Sequence, residues 1–213
     1  MDRLDSYGRI FLLIAMIGDI LVSLILPLFY REYSTLRMSV SALGNLSSPV
    51  RVPFNLWMLA EGCLFLLSLP AVYHHFRPVS GGLAGVLVAF IAVFAVGACI
   101  LTCFFSVNES RDVVTAASKI HAAGSVTGFM LFLLVPLLVA VLCFKDRNMA
   151  MGIMSIASFI LALVFFTLFV ISDKPDFKDT VIDNEGLWQR LNLVFMYLPL
   201  AVAACIRLGA RCS

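Results

Sequence analysis

Six stretches of roughly 20 consecutive apolar residues dominate this chain, each long enough to cross about 30 Å of hydrocarbon at about 1.5 Å of helical rise per residue. They run at approximately 10–30, 53–73, 83–105, 120–144, 149–171 and 187–208. Hydrocarbon holds no water for open backbone groups, so each stretch must close its own hydrogen bonds as a helix. A soluble domain is excluded: mean hydropathy is +1.01 and only 13% of residues are charged. The sequence predicts an all-α, polytopic membrane protein, one transmembrane domain over 1–213 with its six helices in a single bundle. The first stretch reads as a span rather than a secretory signal, because Asp19 lies within it and "LPLFYREY" follows it instead of a small-residue cleavage site.

Six spans place both termini on one side. Lys and Arg fail to choose that side, with seven falling on each under either orientation. The short basic turns "HHFRPVSG" and "KDRN" favour cytoplasmic termini and a plasma (inner) membrane location, leaving the longer loops outside. Two N-x-S sequons, at Asn45 and Asn108, fall on that outer side. The chain has no basic cluster to suggest a nucleic-acid partner, and its six cysteines include no C-x-x-C pair. Cys143 and Cys212 lie near the inner boundary, where acylation is an option.

Ionisable groups inside a membrane are costly and mark sites of structure or function. Asp19, Glu61, His121 and Arg190 fall within spans. By helical rise, His121 and Arg190 lie about one turn below the outer surface, Glu61 roughly 12 Å down and Asp19 roughly 16 Å. Gln189 adjoins Arg190, and His121, Gly124, Ser125 and Gly128 form one small and polar stripe. The loop "LRMSVSALGNLSSPVRVP" brings Ser39, Ser41 and Asn45 to the same side. Gly44 and Asn45 suit a turn with positive φ, and Pro49 and Pro53 suit the start of the second helix.

Three readings of the charged groups stay open: a structural network tying helices together, a polar pocket in the outer half, and a proton relay. Gly124-x-x-x-Gly128 and Gly81-x-x-x-Gly85 can bring helices close in lipid, either within the chain or between copies in a homo-oligomer. A metal centre does not fit, since His74 and His75 end the second span on the inner side while His121 lies outside. No cofactor is called for. Catalysis by Ser39 or Ser41 with His121 as base would need a framing motif that the sequence lacks.

"MSVSALGNLSSPVRVPFNLWMLAEG", "KIHAAGSVTGFMLF" and "NEGLWQRLN" together resemble the family of small six-helix membrane proteins catalogued as domain of unknown function 998. More distantly, the first two blocks are similar to the Frag/DRAM/Sfk group of eukaryotic membrane proteins. The likeness spans nearly the whole chain by span count and spacing. By position it marks Ser39, Ser41, Gly44, Pro49, His121, Gly124, Trp188, Gln189 and Arg190. It implies a six-helix bundle without known catalytic activity, whose eukaryotic relatives are associated with lipid handling. The loop "FFSVNESRDVV" departs from the pattern by lacking a Pro.

The expectation is a pocket in the outer half walled by Asp19, Glu61, His121, Ser125, Gln189 and Arg190 and lidded by Ser39–Pro49. It would bind a lipid head group or small amphiphile, with Arg190 pairing a phosphate or carboxylate and membrane lipids as partners. A small ion- or proton-coupled transporter using Asp19 and Glu61 is the alternative. An intramembrane lipid hydrolase or transferase is a second; the sequence favours no enzyme.

Overall fold

The computed structural model describes residues 2–105 and 115–209. Six helical spans, Arg3–Phe29, Arg51–Phe76, Gly81–Phe104, Ala116–Lys145, Met149–Ser172 and Glu185–Ile206, are each long and apolar enough to cross a membrane. They are built from α1 (Asp2–Ile25), α2 (Arg51–Phe76), α3 (Gly81–Phe94), α4 (Leu101–Phe104), α5 (Ala116–Leu133), α6 (Val135–Lys145), α7 (Met149–Ser172) and α8 (Glu185–Gly209). The spans pack in chain order around a ring, and the sixth closes against the first. This is the all-α membrane bundle expected of the sequence. The sequon at Asn108, the departing loop from Ser106 onward and Cys212 lie outside the described residues.

Each helix starts and stops for a local reason. Pro53 sits in the first turn of α2, where no backbone N–H is needed. The Ser80 hydroxyl caps α3, Thr115 and Ser118 form a capping box on α5, and the Asn148 side chain caps α7. Gly44 departs from its expected role. It has no positive φ and closes a short 3-10 turn, Val40–Gly44. A Cβ there would come within 3.0 Å of the Phe54 ring and Asn55 Oδ1, so the glycine lets the loop lie against α2.

Two spans are interrupted. In the third, a π-helical turn over Ala95–Ile100 separates α3 from α4. In the fourth, Leu134 breaks the helix between α5 and α6, because Pro136 cannot donate to the Phe132 carbonyl. The core face of α2 carries Phe54, Met58, Glu61, Phe65, Ser68 and Val72, a strict alternation of four- and three-residue steps. Phe65, Phe94, Phe132 and Tyr197 meet there with ring centroids 4.5–6.3 Å apart and fill the middle of the bundle. At the end that holds the termini, hereafter proximal, Asp5 Oδ1 lies 2.9 Å from His74 Nδ1 and ties α1 to α2.

The break at Leu134 gives the two halves of the fourth span different neighbours. Proximal α6 packs on α3, α7 and α8, whereas distal α5 leans on the third span and barely touches α7. The lean is permitted by glycine: a Cβ on Gly97 would sit 2.5 Å from the Gly124 carbonyl, and one on Gly124 would sit 2.7 Å from that of Gly97. Gly128 similarly packs on Ala98 and Phe94. The Gly124-x-x-x-Gly128 face is thus packed inside the chain, against the third span. Gly82 and Gly85 have open space around them.

Candidate functional site

Because α5 leans away from α7, the distal half holds a cavity of about 530 Å³. Its wall is predominantly apolar, with Phe54, Met58, Phe94, Phe129, Phe166 and Leu193 among the lining residues. Val126 and Met130 on α5 and Val170 on α7 line it as well, yet they are 61%, 49% and 49% exposed on the outer face of the bundle. The cavity therefore reaches the membrane-facing surface through the gap between the fourth and fifth spans.

The polar lining comes from residues far apart in sequence: Asp19, Ser41, Glu61, Thr102, His121, Ser125 and Gln189. Asp19 and Glu61 each sit ten residues from the distal end of their spans, so both lie roughly 15 Å deep. The Tyr197 hydroxyl donates to Asp19 Oδ2 at 2.8 Å. Glu61 is completely buried, and neither of its carboxyl oxygens has a hydrogen-bond partner among the described residues. The Cys99 thiol and the Tyr197 hydroxyl are its polar neighbours, but that hydroxyl is engaged with Asp19. The Thr102 hydroxyl donates to the Ala98 carbonyl at 2.7 Å, beside the π turn. His121 Nδ1 donates to the Phe105 carbonyl at 2.8 Å, which leaves Nε2 as the acceptor of a neutral ring.

Three of the residues expected in the pocket are placed elsewhere. Arg190 does not line the cavity. Its guanidinium has five N–H donors, and all five are used: Nε and Nη2 on the Ser23 carbonyl, Nη1 on the Thr35 and Gly186 carbonyls, and Nη2 also on the Tyr33 hydroxyl. The reason lies in the first span. Pro27 has no N–H, so the carbonyl of Ser23 has no helical donor, and Arg190 supplies one at 2.9 Å. No N–H remains for a phosphate. Ser39 Oγ faces Ser41 Oγ at 3.3 Å, at the rim. Asn45 ends the 3-10 turn, and its Oδ1 is buried without a partner among the described residues.

The same loop is fastened to α8. Val40 N–H donates to Gln189 Oε1 at 2.7 Å, and Leu187 N–H donates to the Leu36 carbonyl at 3.0 Å. The single Tyr33 Oη proton is shared between the carbonyls of Met38 and Ser39, at 3.0 and 2.8 Å. Burial raises the Tyr33 phenol above its ordinary range, against the pull of the Arg190 charge, so it remains a donor at neutral pH. Gly186 is required where it stands, since a Cβ would collide with the carbonyls of Met38 and Thr35. The loop is stapled to α8 and to Tyr33 rather than left loose.

No Ser–His pair is formed: neither Ser39 nor Ser41 hydrogen-bonds His121 among the described residues. No group of three His, Cys, Asp or Glu side chains close enough to hold a metal ion occurs among them either. Sequence reading missed Thr102, Tyr197 and the aromatic wall. Tyr197 is a lone hydroxyl in an apolar span, and nothing in the sequence shows that it faces Asp19.

The three sequence blocks at the distal end thus meet at one cavity, through Ser41 and Glu61, through His121 and Ser125, and through Gln189. Residues 13–206 match the model of the family described as protein of unknown function (DUF998). No curated protein and no solved structure matches, so the more distant likeness to the Frag/DRAM/Sfk group gains no support. Matched over nearly its whole length, the chain belongs to the domain of unknown function 998 family of membrane proteins.

Proposed function

We infer that this protein binds a small amphiphile, either a lipid or a single-chain molecule, in the distal cavity. The observation that carries this reading is the shape of the site: an apolar-walled cavity with a polar interior that reaches the bilayer between α5 and α7. A ligand entering sideways keeps its chain among Phe129, Phe166 and Val170. Its polar end reaches the deep carboxyls without crossing water. With both termini cytoplasmic, the mouth would open to the outer leaflet of a plasma (inner) membrane.

Blocking the mouth tests this. Ser125 lies half-buried in the lining. Ser125→Phe should remove the bound amphiphile seen by native mass spectrometry of protein extracted in mild detergent, while thermal unfolding stays near that of the native protein. Retention of the amphiphile by a folded Ser125→Phe variant would sink the reading.

A second reading, ion- or proton-coupled transport through Asp19 and Glu61, draws on the interrupted third and fourth spans that flank the pair. It predicts pH-dependent uptake in proteoliposomes that is lost in Asp19→Asn. The aromatic cluster of Phe65, Phe94, Phe132 and Tyr197 argues against it, because it closes the path toward the proximal side.

A further inference from the structure

We propose that the distal cavity selects an amphiphile with a protonated amine head group, through the deep, unpartnered Glu61 carboxyl. This rests on the amphiphile-binding reading and adds the chemical class of the ligand.

The charge balance of the site leads to it. The charged or titratable side chains that line the cavity are Asp19 from α1, Glu61 from α2 and His121 from α5. The third span contributes Thr102, α7 contributes only apolar residues, and α8 contributes Gln189. No Lys or Arg lines the cavity among the described residues. The positive charge whose field is felt at Asp19 is that of Arg190. Its N–H groups are nonetheless all bound to the loop and the helix ends.

Asp19 thus has a hydrogen bond from Tyr197 and a nearby counter-charge, whereas the Glu61 oxygens have no well-formed hydrogen bond, the Tyr197 proton going to Asp19 and the Cys99 thiol beside them being only a weak donor. A carboxyl held out of water without a donor is strongly unfavourable, and it selects whatever brings a donor or a positive charge to it. An ammonium supplies both, with three N–H donors and no acceptor. A phosphate brings negative charge to two acids and meets no free cation. His121 completes the selection: its Nδ1–H is held by the Phe105 carbonyl, so its free nitrogen accepts rather than donates. Chain and head group are then sorted by depth, with the aliphatic part at the mouth and the ammonium at the floor. Glu61 is fully buried yet lines the cavity, so its carboxyl is reached only from within it.

The test is a head-group ranking on the unmodified protein in phosphatidylcholine nanodiscs. Tritiated dodecylamine is bound and competed with unlabelled dodecylamine, dodecyl phosphate and dodecanol. The amine is expected to compete at least about tenfold better than the other two, the step that one charge-assisted hydrogen bond contributes. Glu61→Gln is expected to erase that preference. The ranking stands on its own if this variant fails to fold.

A phosphate or alcohol that competes as well as the amine overturns the proposal, because Glu61 then gives no preference for a positively charged head group. If that flat ranking accompanies loss of all binding in Ser125→Phe, the cavity reading survives and only the amine assignment falls. If dodecylamine binding is unchanged in a folded Ser125→Phe variant, both fall. Adding phosphatidylethanolamine to the discs separates the sources while keeping the amine assignment. Competition by it identifies a bilayer lipid, and no effect identifies a free amphiphilic amine.

Discussion

Arg190→Ala should lower stability by about 3 kcal/mol, since it strands buried carbonyls that each cost about 1–3 kcal/mol when left without a donor. Arg190 is buried, and its guanidinium ties together three segments: the end of the first span, the loop before α2 and the start of α8. Its loss leaves the Ser23 carbonyl with no donor at all, because the proline four residues later cannot provide one. It also leaves Asp19 without its nearby positive charge. Arg190→Lys should recover little, since an ammonium has three donors and no planar fork. The cause can be isolated. Pro27→Ala restores an N–H four residues after Ser23, so Pro27→Ala in the Arg190→Ala background should regain part of the loss. Thermal unfolding in mild detergent reads all three, and equal melting of Arg190→Ala and the native protein would show that the network is dispensable.

Gly97→Val should cost about 3 kcal/mol, the upper end for overpacking. A Cβ on Gly97 would stand 2.5 Å from the Gly124 carbonyl oxygen, and backbone cannot swing aside as a flexible side chain can. The third span would have to part from α5, which would also change the cavity, since Ala98 and Ser125 line it. Gly124→Val meets the reciprocal contact and should cost a similar amount. The double variant should cost clearly less than the sum, because once the helices have parted the second side chain finds room. Gly82→Ala and Gly85→Ala are the controls. A Cβ at either position meets nothing within 4 Å, so neither change should destabilise, and helix propensity should raise stability by up to about 1 kcal/mol. Urea or detergent-titration unfolding would measure the set, and a neutral Gly97→Val would mean that the close approach is not required.

The chain's own letters determined that it crosses a membrane six times and that its polar groups gather in one half. Both follow from one-dimensional quantities, the length of apolar runs and the rise per residue. Position along each helix is a count of the same kind: the sequence reading put Asp19 roughly 16 Å and Glu61 roughly 12 Å down, and counted from the helix ends each sits ten residues in. Rotation was not legible. In α2 the outward residues Leu56 and Leu67 are as apolar as the inward Phe54 and Phe65, because lipid and core make the same demand. Hydropathy therefore cannot tell which face Glu61 shares with Met58.

Tertiary structure alone decided three things. It turned Arg190 from an expected phosphate ligand into a staple, because Pro27 leaves a carbonyl 167 residues away in need of a donor. It spread α5 from α7, because Gly97 and Gly124 draw α5 onto the third span. And it left Glu61 unpartnered at the floor of the space so formed. Each depends on which helix stands beside which, and that is set by close packing between surfaces rather than by the pattern within any one of them.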